Sequence, residues 1–418
     1  MNAYDGYGGG MSAMAEPLRI HARDASSGLR LTMTVDGPVI GDVRSAEEAA
    51  GRAEEGNGEL WVAPGLIDLQ INGFQGYDLN ASGVKLEERI VTVHRLARAI
   101  AGSGTTRCYP TVITASSRQI LDIVTAVRIA CEQDRFTGSV IAGIHLEGPY
   151  LSEQDGPRGA HPKPWIRDPD WEEFARWREA SGDRIRLVTL APERAGALPF
   201  IRRLCGEGIT ASIGHTAAGH EEIEAAVKAG ARMSTHLGNG AHPLLPRHPN
   251  CIWSQLGEER LWASAIADGH HLHPSVLKVF RAAKRERLVL VSDAVHLAGL
   301  APGVYTTHVG GKVELLPSRR LQMADQPGLL AGAAVSLLEC VQEMARLTDC
   351  PLAEALDMAS ARPAKLAGLA FDGLKPGAEA DLILFRRGPA GLSLQQVFKR
   401  GVPLLAKTEG PAGPSEEH

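Results

Sequence analysis

The sequence predicts an α/β protein, a TIM (β/α)8 barrel with a small β-sandwich domain built from both chain termini. Two observations predict this architecture. Short β-branched runs alternate with longer amphipathic stretches through the middle of the chain, whereas both flanks contain only short alternating pieces. An open doubly wound sheet is the alternative, but no glycine-rich phosphate loop follows the first strand. A barrel therefore fits the pattern better.

Eight runs in the middle of the chain are predicted strands, because each is short and rich in β-branched residues. In order they are Leu66–Asn72, Thr105–Thr111, Val140–His145, Ile185–Leu190, Thr210–Ile213, Met233–His236, Trp262–Ile266 and Leu288–Ser292. Helices are predicted between most of them, at Ile90–Ala101, Ile120–Gln133, Leu198–Glu207, Glu221–Ala229 and Pro274–Arg285. This alternation is the element order of a barrel.

The domain boundaries follow from these runs. Residues 64–371 are predicted to form the barrel. Residues 16–63 and 372–407 are predicted to pair into one small β-domain, because neither flank is long enough to form a core alone. Residues 1–15 and 408–418 are predicted to be disordered tails.

Composition and charge exclude several classes of protein. The net charge of −5 over 418 residues gives no electrostatic basis for binding nucleic acid or an anionic membrane. No apolar run has the length of a membrane span, and the N-terminus lacks the pattern of a secretory signal. Six scattered cysteines without a C-x-x-C pair indicate reduced core residues. The expected location is therefore the cytoplasm.

Polar residues recur at the ends of the predicted strands. Glu147, His215, His236, His271 and Asp293 lie at or just past the third, fifth, sixth, seventh and eighth strands. Active sites of TIM barrels form at the carboxyl ends of the strands, so these side chains should converge. One carboxylate and two imidazoles suit Zn²⁺ or a similar first-row divalent ion and leave a coordination position open for water. The pattern predicts a metal-dependent hydrolase.

The remaining two residues have predicted catalytic roles. A metal-activated water would attack an amide or ester carbonyl, and Asp293 is placed to take its proton and pass it to the leaving amine. His271 would polarise the carbonyl oxygen. For Asp293 the alternative is a helix N-cap, because a turn follows the strand.

A series of motifs resembles the N-acetylglucosamine-6-phosphate deacetylase family of the amidohydrolase superfamily. They include Ala-Pro-Gly-Leu-Ile-Asp-Leu-Gln-Ile-Asn-Gly (63–73), His-Leu-Glu-Gly-Pro (145–149), Gly-His-Thr (214–216), Thr-His-Leu-x-Asn (235–239), Val-Ser-Asp-Ala (291–294) and Leu-Lys-Pro-Gly-Ala-Glu-Ala-Asp-Leu (374–382). Each motif alone is weak, but their order along the chain is specific.

The resemblance implies one divalent metal ion per chain, held by Glu147, His215 and His236. Zn²⁺ is expected, with Fe²⁺ or another first-row metal as the alternative. Many amidohydrolases begin the barrel with His-x-His, which helps to hold a second metal. Here that position is Gln70-Ile71-Asn72, and amides are poorer ligands for such metals than imidazoles. We therefore expect the single-metal variant.

The resemblance also implies a set of substrate contacts and a homodimer. Arg247 is expected to hold a phosphate in the site of the neighbouring subunit, for which a guanidinium is well suited. The alternative for Arg247 is a solvated surface residue. The other expected contacts are Ala160, His161, Asn239, Gly240, Asp268, Gly269, His270, His271, Leu330, Ala331 and Gly332.

The expected reaction is hydrolysis of N-acetylglucosamine 6-phosphate to glucosamine 6-phosphate and acetate. Residues 238–250 depart from the family pattern, which leaves the identity of the sugar open. A deacylase acting on an unphosphorylated N-acetyl sugar or an N-acyl amino acid is the first alternative. A non-catalytic sugar-binding regulator is the second, although such a protein would need neither a metal nor a proton-transfer aspartate.

Overall fold

The structure is a computed structural model that describes residues 17–45, 59–307 and 311–405. The predicted tails, 1–15 and 408–418, lie outside these residues.

The described strands form one large parallel sheet, one sheet from the termini and two small sheets. In chain order the strands are β1 (Leu18–Asp24), β2 (Arg30–Asp36), β3 (Val39–Ser45), β4 (Leu60–Pro64), β5 (Leu66–Ile71), β6 (Gly73–Phe74), β7 (Tyr77–Asp78), β8 (Thr105–Ile113), β9 (Ile144–Glu147), β10 (Ile185–Leu190), β11 (Thr210–Ile213), β12 (Met233–Ser234), β13 (Trp262–Ala265), β14 (Leu288–Leu290), β15 (Gly303–Thr307), β16 (Gly311–Leu315), β17 (Leu321–Met323), β18 (Leu382–Gly388), β19 (Gly391–Lys399) and β20 (Val402–Leu405).

Helices separate most of the barrel strands and complete the barrel after the last of them. They are α1 (Leu86–Gly102), α2 (Ser117–Gln133), α3 (Arg135–Val140), α4 (Trp171–Ala180), α5 (Ala197–Gly206), α6 (His220–Ala229), α7 (Cys251–Gly257), α8 (Pro274–Lys284), α9 (Leu337–Thr348), α10 (Leu352–Met358) and α11 (Ala361–Ala367). Within the described part of the chain, no helix combines the length and apolar character required to cross a membrane.

The eight predicted barrel strands form a parallel sheet in the order β5-β8-β9-β10-β11-β12-β13-β14. Backbone bonds just past β14 bring its end to β5: the Asp293 amide donates to the Gln70 carbonyl (2.9 Å), and the Asn72 amide donates to the Ala294 carbonyl (2.9 Å). The first and last strands are thereby joined, so the predicted barrel is confirmed.

The predicted third strand, Val140–His145, was wrong in its bounds. Residues 135–140 form α3 instead, because the Asp134 carboxylate accepts hydrogen bonds from the amides of Phe136 and Thr137 and so caps a helix. The strand begins only at Ile144, and Glu147 is its last residue. The shift places the Glu147 side chain at the mouth of the barrel.

A buried polar layer lies inside the barrel below the mouth. The imidazole of His145 contacts the Thr189 hydroxyl (2.7 Å), and Thr189 is hydrogen-bonded to Thr235 (2.7 Å), which is hydrogen-bonded to Ser212 (2.6 Å). Burial lowers the pKa of His145 to about 4, so this ring is neutral at pH 7. Because buried polar groups with partners hold their geometry, this layer fixes the strand ends that carry the site.

Both termini contribute to one seven-stranded sheet in the order β20-β19-β18-β4-β1-β2-β3. Strand β18 pairs antiparallel with β4, which joins the C-terminal strands to the N-terminal ones. The buried Lys399 ammonium donates to the Asp381 carboxylate (2.7 Å) at this junction. The predicted small β-domain from both chain ends is therefore confirmed as an architecture.

A further antiparallel sheet, β15-β16-β17, was not predicted. It follows β14 and interrupts the barrel pattern before α9. Thr307 and Leu321 of this sheet line the cavity at the barrel mouth, so the insertion contributes directly to the site.

Candidate metal centre and active site

Glu147, His215 and His236 converge at the carboxyl ends of β9, β11 and β12. The Glu147 Oε1 atom lies 2.9 Å from His236 Nε2 and 3.3 Å from His215 Nε2, and the two imidazole nitrogens are 3.1 Å apart. All three side chains are buried. The three residues thus lie together at the barrel mouth, and their role as metal ligands stays a prediction.

This donor set fits one tetrahedral divalent ion. Two donors bonded at ~2.0–2.1 Å to a tetrahedral ion are about 3.3 Å apart. The separations of 2.9–3.3 Å among the three donor atoms match that spacing. One carboxylate and two imidazoles are ligands for Zn²⁺ and other first-row metals.

The environment of His215 selects the nitrogen that faces the metal position. Its Nδ1 lies 2.8 Å from the Pro157 carbonyl, to which it donates, so Nε2 remains for the ion. The backbone of Gly240 packs against the same ring, because a Cβ atom at that position would lie 2.7 Å from His215 Nδ1. Gly240 also has a φ of 57°, which disfavours a larger residue. The ring is thus clamped from two sides.

Three site residues adopt a left-handed backbone. His215, His236 and Asp293 have φ values of 50°, 27° and 48°. Non-glycine residues rarely adopt this conformation, and such strain clusters at functional sites. At each of these positions the chain turns sharply just after a strand, which directs the side chain over the barrel axis.

The metal-free electrostatics couple Glu147 to its neighbours. Burial raises the pKa of Glu147, but hydrogen bonds from His215 and His236 outweigh it and hold this pKa well below the usual range. For His236 burial lowers the pKa, but the Glu147 carboxylate outweighs it and raises the pKa above the usual value. Without an ion, the Glu147 carboxylate therefore favours a proton on the His236 imidazole.

Gln70 and Asn72 each donate a hydrogen bond to one of the two carboxylates of the site. The Gln70 Nε2 amide donates to Glu147 Oε1 (2.9 Å), and the Asn72 Nδ2 amide donates to Asp293 Oδ1 (2.7 Å). Both residues belong to the first barrel strand or directly follow it. At the position where a His-x-His pair would bind a second metal, this chain has two side-chain amides. These amides donate hydrogen bonds that orient the carboxylates of Glu147 and Asp293. This arrangement supports the single-metal expectation.

We expect Gln70→Leu to weaken metal binding by about 10- to 100-fold, because Glu147 loses the donor that orients its carboxylate. The measurement is the metal dissociation constant, obtained by competition with a chromogenic chelator. Gln255→Leu is the control, since Gln255 is also buried but donates to the Cys251 carbonyl in α7. Unchanged affinity in the Gln70 variant would contradict the assigned role.

Asp293 lies beside the metal position with a perturbed acidity. Burial raises its pKa to about 6, and the charge of Glu147 contributes further in the same direction. A carboxyl group titrating near neutral pH suits proton transfer. The alternative prediction, a helix N-cap, is not met: the described residues 294–302 directly after Asp293 contain no helix, and Asp293 Oδ1 accepts from Asn72.

His271 is oriented by Asp268. Its Nδ1 lies 2.7 Å from Asp268 Oδ2, while Asp268 Oδ1 accepts from the amides of His270 and His271. Burial raises the pKa of Asp268, but the hydrogen bond from His271 outweighs it and the pKa is lowered. The contact between Nδ1 and Asp268 fixes the orientation of the His271 ring at the cavity and leaves Nε2 for a substrate oxygen.

His161 lies next to the metal ligands without joining their cluster. Its Nε2 is 3.3 Å from His215 Nε2, and its Nδ1 is 2.9 Å from the Thr114 hydroxyl. Burial lowers the pKa of His161 to about 3, and the nearby His215 acts in the same direction. A neutral imidazole at this position can exchange hydrogen bonds with a bound substrate.

A cavity of about 500 Å³ opens above these residues at the barrel mouth. Most of the predicted site residues line it: Glu147, Ala160, His161, His215, His236, Asn239, Gly240, His271, Asp293, Leu330, Ala331 and Gly332. Chain segments remote in sequence thus share one pocket.

Four predicted substrate contacts do not line this cavity. Asp268 and Gly269 lie behind His271, and the His270 ring instead contacts the Ser318 carbonyl (2.9 Å), because the turn after β13 directs only His271 inward. Arg247 is exposed and does not line the cavity of its own chain. A contact from Arg247 to the site of a second subunit stays a prediction.

Several residues in or beside the site were not predicted from the sequence. The Asp68 carboxylate accepts hydrogen bonds from the Ser292 hydroxyl and from the backbone N–H of Gln70. Burial raises the pKa of Asp68 to about 7. The alternation of positions 68, 70 and 72 along one strand was a usable signal, since such residues share a face. Asp78 and His296, which also line the cavity, carry no comparable signal.

Comparison with known proteins decides the family. A model described as the amidohydrolase family matches residues 61–404. The chain belongs to the amidohydrolase family. The amidohydrolase is 32% identical over 363 residues to the N-acetylgalactosamine-6-phosphate deacetylase of Escherichia coli O157:H7, covering 86% of this chain and 92% of that protein. It is 34% identical over 329 residues to the N-acetylglucosamine-6-phosphate deacetylase of Bacillus subtilis, covering 77% and 80%.

A solved structure extends the similarity to the fold. The amidohydrolase is similar to a mutant of the Mycobacterium smegmatis N-acetyl-D-glucosamine-6-phosphate deacetylase in complex with N-acetyl-D-glucosamine-6-phosphate. The TM-score is 0.81 at 27% identity, covering 94% of this chain and 100% of that one. The predicted resemblance to this deacetylase family is therefore confirmed.

Proposed function

We propose that the protein hydrolyses the N-acetyl group of an amino-sugar 6-phosphate, giving acetate and the free amino sugar. The convergence of Glu147, His215 and His236 beside Asp293 carries this proposal. N-acetylglucosamine 6-phosphate is the first candidate substrate. Its 4-epimer, N-acetylgalactosamine 6-phosphate, is the second, favoured by the 86% of this chain that aligns with a deacetylase of that name.

One divalent ion per chain, Zn²⁺ or Fe²⁺, would be held by Glu147, His215 and His236. Such an ion supplies Lewis acidity, which lowers the pKa of water towards neutrality and makes hydroxide available at pH 7. Gln70 keeps the Glu147 carboxylate in place, and the Pro157 carbonyl keeps the His215 ring in place. The protein thereby contributes a fixed geometry to the reaction.

Asp293 moves the proton in this proposal. Its carboxylate takes a proton from the attacking water as the new C–O bond forms at the carbonyl carbon. It then gives that proton to the nitrogen as the C–N bond breaks, so acetate and the amine leave. Asn72 holds Oδ1 of Asp293 throughout, which leaves Oδ2 for the transfer. His271, whose ring is held by Asp268, donates a hydrogen bond to a substrate oxygen.

The phosphate end of the substrate would lie over the loop that follows β12. Asn239 and Gly240 of this loop line the cavity, and the exposed Arg247 follows a few residues later. In a homodimer, Arg247 of one subunit would close the site of the other and form a paired hydrogen bond with the phosphate. We propose the homodimer because Arg247 is exposed and does not line the cavity of its own chain.

The phosphate requirement is tested by measuring acetate release from each sugar with and without its 6-phosphate. We expect kcat/KM to fall by about 100-fold or more without the phosphate, since charged hydrogen bonds contribute about 1.5–3 kcal/mol each. Arg247→Ala should raise KM for the phosphorylated sugar alone. Arg260→Ala, an exposed arginine paired with Glu258, is the control. Equal rates with the phosphorylated and the unphosphorylated form of a sugar would rule out phosphate specificity.

A mixing experiment tests whether Arg247 acts across subunits. Arg247→Ala and Asp293→Asn chains are each impaired alone, but a mixed dimer has one site with an intact Asp293 and an arginine supplied by the other chain. We expect activity to return on mixing after subunit exchange. Activity equal to the sum of the separate variants would place Arg247 outside the neighbouring site.

A further inference from the structure

Asp68 holds the residues on both sides of Asp293. The Asp68 Oδ2 atom accepts from the Ser292 hydroxyl (2.5 Å), and both carboxyl oxygens lie 3.3 Å from the backbone nitrogen of Ser292, which donates to them. The Ser292 hydroxyl oxygen in turn accepts from the backbone amide of Ala294 (3.2 Å). The turn that carries Asp293 is therefore held by one chain of hydrogen bonds that begins at Asp68.

Asp68 also holds the residue to which the Asp293 backbone is bound. Its Oδ1 atom accepts from the backbone amide of Gln70 (3.1 Å), and the Gln70 carbonyl accepts from the backbone amide of Asp293 (2.9 Å). The side chain of the same Gln70 donates to Glu147. One carboxyl group thereby fixes β5 against the chain that leaves β14.

The Asp68 carboxyl group is fully buried and does not line the catalytic cavity. Burial raises its pKa to about 7 and the charge of Asp293 acts in the same direction, whereas the bonds from Ser292 and Gln70 act against it. Burying a polar group is costly, and a pair of apolar side chains of the same shape is often no less stable. What the carboxyl group adds at this position is therefore its hold on Ser292 and Gln70.

The turn at Asp293 has a strained backbone, which needs support. Its φ of 48° is rare for a residue other than glycine. The other two left-handed residues of the site are also supported: the His236 backbone amide lies 2.8 Å from the Ser264 hydroxyl, and the two residues after His215 donate to the Glu193 carboxylate. Each of the three strained turns is thus held by a polar side chain from a different strand or loop.

We propose that Asp68 is a positioning residue for the proton transfer, because it holds Asp293 beside the metal position through Ser292. This inference rests on the proposed function, which assigns the proton transfer to Asp293. Asp68 lies outside the cavity lining, so it acts only through the residues that it holds. A misplacement of about 1 Å can cost about 100-fold in rate. Loss of this support should therefore lower kcat and leave substrate binding intact.

Asp68→Asn tests this role with the metal-loaded enzyme in excess metal. The amide keeps the shape of the side chain, but its NH₂ group cannot accept a hydrogen bond. With the better of the two candidate sugar phosphates, we expect kcat to fall by about 10- to 100-fold while KM stays within about twofold. Ser292→Ala removes the hydroxyl and keeps Asp68, and it should lower kcat in the same way.

The decisive measurement is the effect of Asp68→Asn in an Asp293→Asn background. There we expect kcat from single-turnover acetate release to change by no more than about twofold, because the group that Asp68 positions has already been removed. A residue that only stabilises the barrel would lower the activity of both backgrounds by the same factor. The comparison therefore separates positioning of Asp293 from a general role in the fold.

Asp134→Asn is the matched control, since Asp134 also accepts from two backbone amides and one hydroxyl, but at the start of α3. Ser360→Ala is the control for Ser292→Ala, because the buried Ser360 hydroxyl donates to the Leu356 carbonyl in α10. Both controls should keep the kcat of the wild type. Metal content and melting temperature check the folding of each variant. Should Asp68→Asn fail to fold, Ser292→Ala in the two backgrounds decides.

The outcomes separate this inference from the proposed function. If the wild type hydrolyses an N-acetylated sugar phosphate but Asp68→Asn and Ser292→Ala keep its kcat, or raise KM instead, the positioning role is disproved and the proposed function stands. An equal fall in kcat with and without Asp293 also overturns the inference, since the residue then acts on the fold. If the wild type hydrolyses no N-acetylated sugar phosphate, both fall.

Discussion

Asp293→Asn is expected to lower kcat by about 10² to 10⁴-fold while the protein keeps its metal, because the substitution removes the proton acceptor and leaves the metal ligands in place. Asparagine tolerates the left-handed φ of 48° at this position as well as aspartate does. Its side-chain oxygen can still accept the hydrogen bond from Asn72. The loss should therefore be chemical and not structural. Single-turnover acetate release, with metal content measured on the same sample, checks it.

Asp349→Asn is the control for this substitution. Asp349 has a similar backbone, with a φ of 55°, but it ends α9 at the surface and pairs there with Lys278. We expect its turnover to match that of the wild type. A fully active Asp293→Asn enzyme would rule out proton transfer by this residue.

The pH dependence of the wild type gives a second measure of Asp293. Its pKa is about 6 without a metal, raised by burial and by the charge of Glu147. A bound cation favours the ionised form, so the pKa in the loaded enzyme should be lower. The base is active when deprotonated, and activity is therefore lost as the pH falls through that value. We expect kcat/KM of the wild type to fall below pH about 6. The residual activity of Asp293→Asn should not show this fall.

The sequence predicted the parts of the site that depend on strand ends. His215, His236 and Asp293 follow short apolar strands, and a barrel brings all such positions to one mouth. The identity of each side chain then determined its chemistry. The exception was the third strand, where the cap supplied by Asp134 extended helical structure into a β-branched run.

The contacts between loops could not be predicted in this way. Asn72 and Asp293 are hydrogen-bonded across 221 positions, and Asp78 meets His296 only because the loops after β5 and β14 are tied together. No periodicity in the sequence encodes such a contact, since it arises from the closure of the barrel. The amides at Gln70 and Asn72 were recognised as poor metal ligands, but their role as donors to the two carboxylates required the structure.

Glu147→Gln is expected to abolish stable metal binding and to lower activity by at least about 10³-fold, because the amide keeps the shape of the side chain but loses its negative charge. Glu147 lies within 3.3 Å of both imidazole donors, so no other carboxylate in the described cluster can replace it. The measurement is metal content after dialysis, where we expect about one ion per wild-type chain. Glu173→Gln is the control, since this buried glutamate contacts Arg167 and Tyr150 away from the cluster.

The same site makes metal binding depend on pH in a defined direction. Without an ion, the Glu147 carboxylate raises the pKa of His236 above its usual value, and a proton must leave that ring before it can bind a metal. Metal affinity in the wild type should therefore fall as the pH is lowered, and the proton release can be measured by calorimetry in buffers of different ionisation enthalpy. In Glu147→Gln the charge that raises the pKa of His236 is gone. Any residual metal affinity of this variant should therefore fall less at low pH than that of the wild type. Two ions per chain, or a glutamine variant that retains its ion, would show that the site is not the single-metal centre formed by Glu147, His215 and His236.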